Sequence, residues 1–289
     1  MSIPAAVETV TAIEAGGFHT CAIVPSRQLH CWGWNAFGQT DVPADLGAVQ
    51  QVQAAYGHTC AVTVAGQVRC WGNNVYGQTD VPPTLGPAVQ VSVGFGHTCA
   101  ITPDALLHCW GRDAHGQTRV PVDLGSVGAV SLGDLHTCVL TVAGQVRCWG
   151  DTTYGQLALP PAATAASALD AGTYESCLLT PTAVMYCWGT NIPDLAVPPT
   201  LPAVRLMSSG GGHGCALLQD GRIECWGRSF EGQSMPPEEL PPLQQLSAGG
   251  QHTCGVTLDA RPVCWGNAKY DQIVLPQDPL LTGWRTQQS

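Results

Sequence analysis

Cysteine followed by tryptophan and glycine occurs seven times in this 289-residue chain, and the spacing of those seven sites constrains the fold more than any other feature. The sites are Cys31-Trp32, Cys70-Trp71, Cys109-Trp110, Cys148-Trp149, Cys187-Trp188, Cys225-Trp226 and Cys264-Trp265, at a step of 39 residues with a single step of 38. Ten positions before each stands a second cysteine: Cys21, Cys60, Cys99, Cys138, Cys177, Cys215 and Cys254. All 14 cysteines are thereby placed. A fixed period of about 20–50 residues marks a repeat architecture in which each copy is one supersecondary unit.

The second copy shows the unit most clearly. Its stretches Val49–Ala54, His58–Val64, Gln67–Trp71 and Gln78–Val81 read as four strands separated by turn residues. Gly66, in the turn Val64-Ala65-Gly66, supplies the left-handed residue of a three-residue hairpin loop, and Gln219-Asp220-Gly221 repeats the device. Pairing about that turn sets Cys60 opposite Cys70 on one face. Four short antiparallel strands repeated seven times predict an all-β fold, a single seven-bladed β-propeller over residues 1–289, with an open solenoid as the competing architecture. Closure is supported by the chain ends, where Ile3-Pro4 and Leu275-Pro276 both fit the Val-Pro position of the repeat. The 34 glycines and 22 prolines suit many tight turns.

The paired cysteines admit four readings: disulfides, metal ligands, reactive thiols, or small buried apolar residues. Structural zinc uses cysteines about two to four residues apart, which these are not. Directly opposed residues of an antiparallel pair come close enough to bond, so one disulfide per repeat is expected, Cys21 with Cys31 and so on to Cys254 with Cys264. Each would stabilise by roughly 2–3 kcal/mol on the chain-entropy account. Such bonds imply an oxidising compartment, secreted or periplasmic; reduced cysteines would instead suit the cytoplasm. Met1–Val10 carries no export signal, so a signal was removed or the protein stays inside the cell. Each tryptophan points to the face opposite its neighbouring cysteine and is expected to pack toward the disulfide face of the next blade.

His19, His58, His97, His136, His213 and His252 stand two residues before the first cysteine of their copies, and Glu175 takes that place in the fifth. Residues i and i+2 share a strand face, so the expected role is structural, beside the disulfide and bonded to a backbone group of an adjacent strand or blade. A metal ring would not tolerate Glu175 easily. No nucleophile elbow, phosphate loop or His-Glu metal motif is present, so no catalytic residue, metal or cofactor is expected.

A net charge of −10 with 11 scattered basic residues argues against a nucleic-acid partner, and no apolar run long enough to span a membrane exists. What distinguishes the surface is aromatic. Setting aside the seven repeat tryptophans, 12 aromatic residues remain. Phe18, Tyr56, Phe95 and Tyr174 precede the second strand, and Trp34, Phe37, Tyr76, Tyr154, Phe230 and Tyr270 follow the third, so all ten fall on one rim of a propeller. Phe37, Tyr76, Tyr154 and Tyr270 share a place before Gly-Gln or its equivalent and are expected to buttress their loops. Phe18, Tyr56, Phe95, Tyr174 and Trp34 vary in position and suit binding anchors, and all ten are candidates for binding. The fifth copy departs from the rest at Glu175-Ser176 and over residues 188–194.

Gly57-His58-Thr59 with Trp71-Gly72-Asn73-Asn74-Val75-Tyr76-Gly77-Gln78 resembles the repeat of the regulator of chromosome condensation family. The short period and the Gly-Gln-Thr-x-Val-Pro ending look most like its bacterial seven-bladed members, among them the propeller-type β-lactamase inhibitory protein. The resemblance implies a protein-binding platform that uses the loops and aromatics of one rim. The leading expectation is therefore a monomeric, non-catalytic bacterial protein that binds another protein as an inhibitor or adaptor. A carbohydrate-binding propeller is the alternative, and an enzyme with an unrecognised site comes third.

Overall fold

The computed structural model describes residues 7–161, 165–189 and 200–276, and it contains seven three-stranded antiparallel sheets. Each sheet is built from consecutive strands in simple order. In the second these are Val49–Ala54, His58–Thr63 and Val68–Gly72, matching the expected first three strands to within one residue. Its middle strand is buried throughout, because both faces are covered by neighbouring sheets.

The fourth strand does not form. Gln78–Val81 is a string of turns: the Gly77 amide bonds Asn74, the Asp80 amide bonds Gly77 and the Val81 amide bonds Thr79. Backbone donors spent on local bonds cannot build a ladder. The Gln78 carbonyl is likewise committed, accepting from Trp110 Nε1 and Thr98 Oγ1 of the following blade. This stretch is a strap tying one blade to the next.

Hairpin register is as the turn chemistry dictates. Cys60 lies opposite Cys70, and the same pairing recurs in every blade. All seven pairs are disulfides, each with Cα atoms about 4 Å apart and ten residues between partners in sequence number. Gly66 holds φ +81° and Gly221 φ +90°, as a left-handed loop residue must. In four blades that position is not glycine: Arg27, Ala105, Ala183 and Ala260 take φ between 62° and 65°. Five of these six residues accept, through their carbonyls, an amide of the next blade: Val49 donates to Arg27, Ala88 to Gly66, Val127 to Ala105, Val204 to Ala183 and Val10 to Ala260.

Packing between blades follows one rule. Trp71 shares an apolar cluster with Cys21 and Cys31, Trp110 with Cys60 and Cys70, and Trp32 of the first blade with Cys254 and Cys264 of the last. The tryptophan thus covers the disulfide of the preceding blade in chain order, not of the following one as expected. The direction follows from its indole N–H, which must reach the strap of that same preceding blade: Trp71 Nε1 donates to Gln39 O at 3.0 Å. Val7, Val10 and Ile13 pack with Cys254 and Val256, and the Val7 amide reaches Pro276 O at 3.2 Å, so the first blade closes on the seventh. Leu275 joins that cluster, whereas Ile3-Pro4 lie outside the described residues.

Candidate functional site

The seven inner strands surround an axial channel, and alternation points the residue opposite each first cysteine into it: Glu14, Gln53, Ser92, Ser131, Asp170, Ser208 and Ser247. These residues form a girdle. Ser247 Oγ donates to Glu14 Oε2 at 3.1 Å, Gln53 Nε2 donates to Glu14 Oε1 at 3.0 Å, and Ser131 Oγ and the Ser209 amide donate to Asp170. Burial raises the Glu14 carboxyl to about 8 and Asp170 to about 6, so at neutral pH Glu14 is mainly protonated while Asp170 stays mainly ionised. The channel forms a cavity of about 430 Å³ lined by the girdle residues together with Phe18, Tyr56, Asp134 and Tyr174.

The histidines are sealed inside the ring and form a relay between blades. His58 Nε2 lies 3.1 Å from Thr98 Oγ1 of the next blade, and Thr98 Oγ1 donates to Gln78 O at 2.8 Å. Because the threonine hydrogen is committed to that carbonyl, the imidazole must donate through Nε2–H, which leaves Nδ1 as a bare acceptor. His19, His97 and His213 reach Thr59, Thr137 and Thr253 in the same way, and His252 closes the relay on Thr20. Each histidine therefore bonds the adjacent blade, but through a side-chain hydroxyl rather than a backbone group. Desolvation lowers all six, to about 3 for His19, His97 and His252 and about 4 for His58, His136 and His213. Fully buried, neutral and committed, these imidazoles have no path to an external substrate. Among the described residues no cluster of three or more His, Cys, Asp or Glu side chains could hold a metal ion.

One seam is wired differently. In the fifth blade Glu175 replaces histidine, and in the sixth Gly214 replaces its threonine partner. A Cβ at residue 214 would stand inside the ring of Trp226. The indole occupies the space the threonine vacates and donates to Glu175 Oε2 at 3.4 Å. Among the described residues Glu175 Oε1 has no partner, and burial pushes this carboxyl up to about 7. The sequence departures at Glu175-Ser176 thus extend to Gly214, a compensation that a reading of the fifth copy alone misses. Residues 190–194 lie outside the described residues.

The rim at the mouth of the channel carries the ten aromatics, as strand parity requires. The structure gathers six of them from three adjacent blades and the closing seventh. Phe18 packs on Trp34, Tyr56 and Tyr270 with ring centroids 5.8, 5.3 and 5.7 Å away. Trp34 packs on Phe37 at 5.2 Å and Tyr56 on Phe95 at 5.4 Å, mostly in edge-to-face contacts. A continuous crescent results, from Tyr270 through Phe18, Trp34 and Tyr56 to Phe95. Tyr76 adjoins it through Arg112, whose guanidinium carbon lies 5.1 Å from the Tyr76 ring and 5.9 Å from Phe95. Tyr154 and Tyr174 form a separate pair at 4.8 Å, and Phe230 stands alone, 83% exposed.

The expected division into buttressing and binding aromatics is only half visible in the packing. Phe37 and Tyr76 do brace their neighbours, closing on Gly57 and Gly96 of the following blades, yet both remain more than 40% exposed. Tyr56, expected as an anchor, braces Gly17 in the same manner and is equally exposed. These side chains do both jobs. Arg112 and Lys269, the latter 5.2 Å from the Tyr270 ring, flank the crescent and carry no repeat signal that marks them in the sequence.

The profile of the regulator of chromosome condensation (RCC1) repeat matches the chain in five places, residues 10–39, 49–78, 88–117, 129–156 and 204–233, together just over half of it. Among curated protein sequences none matches the chain. Solved structures of similar fold include the CRINKLY WD40 ectodomain of the Arabidopsis thaliana receptor kinase ACR4, 28% identical over 93% of this chain and 99% of that one, with a TM-score of 0.76. Human WBSCR16 is 18% identical, with 86% and 87% coverage and a TM-score of 0.74. Prp20p of Saccharomyces cerevisiae, a structure described together with its binding to Gsp1p and histones, is 18% identical over 90% of this chain and 72% of that one, at a TM-score of 0.54.

Proposed function

The chain belongs to the regulator of chromosome condensation (RCC1) repeat family, and on that premise we propose that it is a non-catalytic binding propeller that engages another protein through the aromatic crescent of one rim. The single observation that carries this reading is the crescent itself. Six aromatic rings in mutual contact, with Phe37 44% and Tyr56 40% exposed and the other four part-buried, sit on loops fixed by seven disulfides and an interblade relay. Aromatic anchors with few rotatable bonds on a rigid scaffold bind with little ordering cost. The relative Prp20p, whose binding to Gsp1p and histones is described with its structure, illustrates that this repeat serves protein binding.

Seven disulfides suit an oxidising compartment, and we take the protein to be secreted; one relative of similar fold is a receptor ectodomain. Inhibition of a β-lactamase, suggested by the likeness to bacterial seven-bladed members, is one instance of such a role. The reading is tested by capture from an extract of the source with the wild-type protein and with a Tyr56→Ala, Phe95→Ala variant. A one-to-one protein complex formed by the first and lost with the second is expected. Binding to a glycan array that millimolar sugar abolishes, with no protein complex, overturns the reading in favour of a lectin.

A further inference from the structure

The charged residues of this chain are distributed in a way the aromatic platform alone does not require. Arg69, Arg119, Arg147, Arg222 and Arg261 are each held by a carboxylate of the chain, at 2.8–3.3 Å in their closest pairs. Arg205 donates to the Leu243 carbonyl. That leaves Arg27, Arg112, Arg228 and Lys269 as the cations whose side chains make neither a salt bridge nor a hydrogen bond among the described residues. Three of these four, Arg112, Arg228 and Lys269, follow a Trp-Gly pair on the aromatic rim. Two of the three stand at the ends of the crescent with their charge over its rings, Arg112 on Tyr76 and Phe95 at one end and Lys269, the only lysine of the chain, on Tyr270 at the other.

In a protein of net charge −10 this is the reverse of the average surface. A cation over an aromatic face is attracted by the ring and keeps its N–H donors free for a second partner. The crescent is thus a desolvatable apolar strip bounded at both ends by unsatisfied donors. We propose that its partner is a protein loop with an apolar centre and acidic margins, whose carboxylates meet Arg112 and Lys269 while the centre seats on Phe18, Trp34 and Tyr56. This rests on the platform reading above and specifies what the platform selects. A nucleic acid fits poorly, because two cations at the ends of an apolar strip do not track a phosphate backbone and the net charge repels one. The cations act chiefly on partner choice and association rate, through charge complementarity at the rim of an interface.

The test is selection of a displayed library of disulfide-closed random loops on the intact, oxidised protein. Binders that are lost on Tyr56→Ala define the crescent. Those binders are expected to be enriched in Asp and Glu at their margins and to weaken by about tenfold or more on the Arg112→Gln, Lys269→Gln variant. Their affinity should also fall between about 50 and about 500 mM salt. Crescent-dependent binders without acidic enrichment, and indifferent to the charge variant, overturn this proposal and leave the platform standing. A library that yields no Tyr56-dependent binder overturns both. Heparin binding at physiological salt that needs Arg112 and Lys269, with no acidic loops selected, overturns it in favour of a polyanion.

Discussion

Replacing Glu175 by glutamine is expected to stabilise the protein, by an amount that grows with pH. Glu175 is 3% exposed, it receives the long bond from Trp226, and among the described residues its Oε1 has no partner. Burial raises its carboxyl from 4.5 to about 7. A carboxyl raised in the folded state binds its proton more tightly there than in the unfolded chain. The associated stability is fully present below about pH 4.5 and is lost as pH rises through about 7. Each unit of difference is worth about 1.4 kcal/mol, so the complete swing is about 3 kcal/mol. Glutamine has nearly the same shape and never ionises, so it avoids that loss. The variant should gain roughly 1 kcal/mol on the wild type at pH 5 and about 3 kcal/mol at pH 8. Urea unfolding of both proteins with disulfides intact, at several pH values, measures the difference directly. A difference that does not change between pH 5 and pH 8 would refute the placement of an uncompensated buried carboxyl at this seam.

Two further substitutions test the joints between blades. Thr98→Val keeps the shape of a fully buried side chain but leaves the His58 Nε2–H without an acceptor, so a loss of about 1–3 kcal/mol is expected in urea unfolding; no loss would show that the relay contributes nothing. Ala105→Gly relieves a left-handed alanine at φ 63° while loosening the unfolded chain. Balancing a strain of about 1–2 kcal/mol against an entropy cost of about 0.5–1 kcal/mol, a net gain of roughly 0.5–1 kcal/mol is expected, read as a rise in the urea midpoint. The same exchange at Gly66 in reverse, Gly66→Ala, should destabilise.

Much of this architecture can be read from the period, because in a propeller each repeat meets the same surroundings. Cys60 opposite Cys70 follows from one hairpin turn and the alternation of strand faces, and both are local properties. What the period conceals is which blade a side chain reaches. Trp71 could cover either neighbour by strand parity, and the choice rests on the Gln39 carbonyl, 32 residues away in the preceding strap. The strap reads as a strand because Gln78-Thr79-Asp80-Val81 is a short segment bounded by the turn residues Gly77 and Pro82. Its turns are set by side chains that cap backbone amides, such as Gln78 Oε1 on the Tyr76 amide and Asn74 Oδ1 on the Thr79 amide.

The candidate site was legible in the same partial way, and the reason bears on how function can arise in such a ring. Loop parity assigns all ten aromatics to one rim, but parity is identical for every blade and cannot say which of them meet. Contact depends on neighbourhood around the circle, and Tyr270 reaches Phe18 only because the seventh blade closes on the first. The buried layer holds the repeat nearly constant, since Gly72 at φ +103° would place a Cβ 2.5 Å from the Gly57 carbonyl, and a change of His58 or Thr98 disturbs its partner in the next blade. Where the buried pattern does break, at Glu175, a second change at Gly214 accompanies it. The residue just after Trp-Gly escapes this coupling: it is Trp34, Asn73, Arg112, Asp151, Arg228 and Asn267 in six of the copies, each with an amide that bonds the loop before the middle strand in the same way. Backbone geometry there is fixed while the side chain varies: Asn73, Asp151 and Asn267 accept from amides of their own loops, whereas Trp34 and Arg112 join the rim. Trp34 and Arg112 are two of the groups that give the crescent its shape and its charge, so on the proposed reading specificity is written at positions where the repeat imposes a backbone but not one side chain.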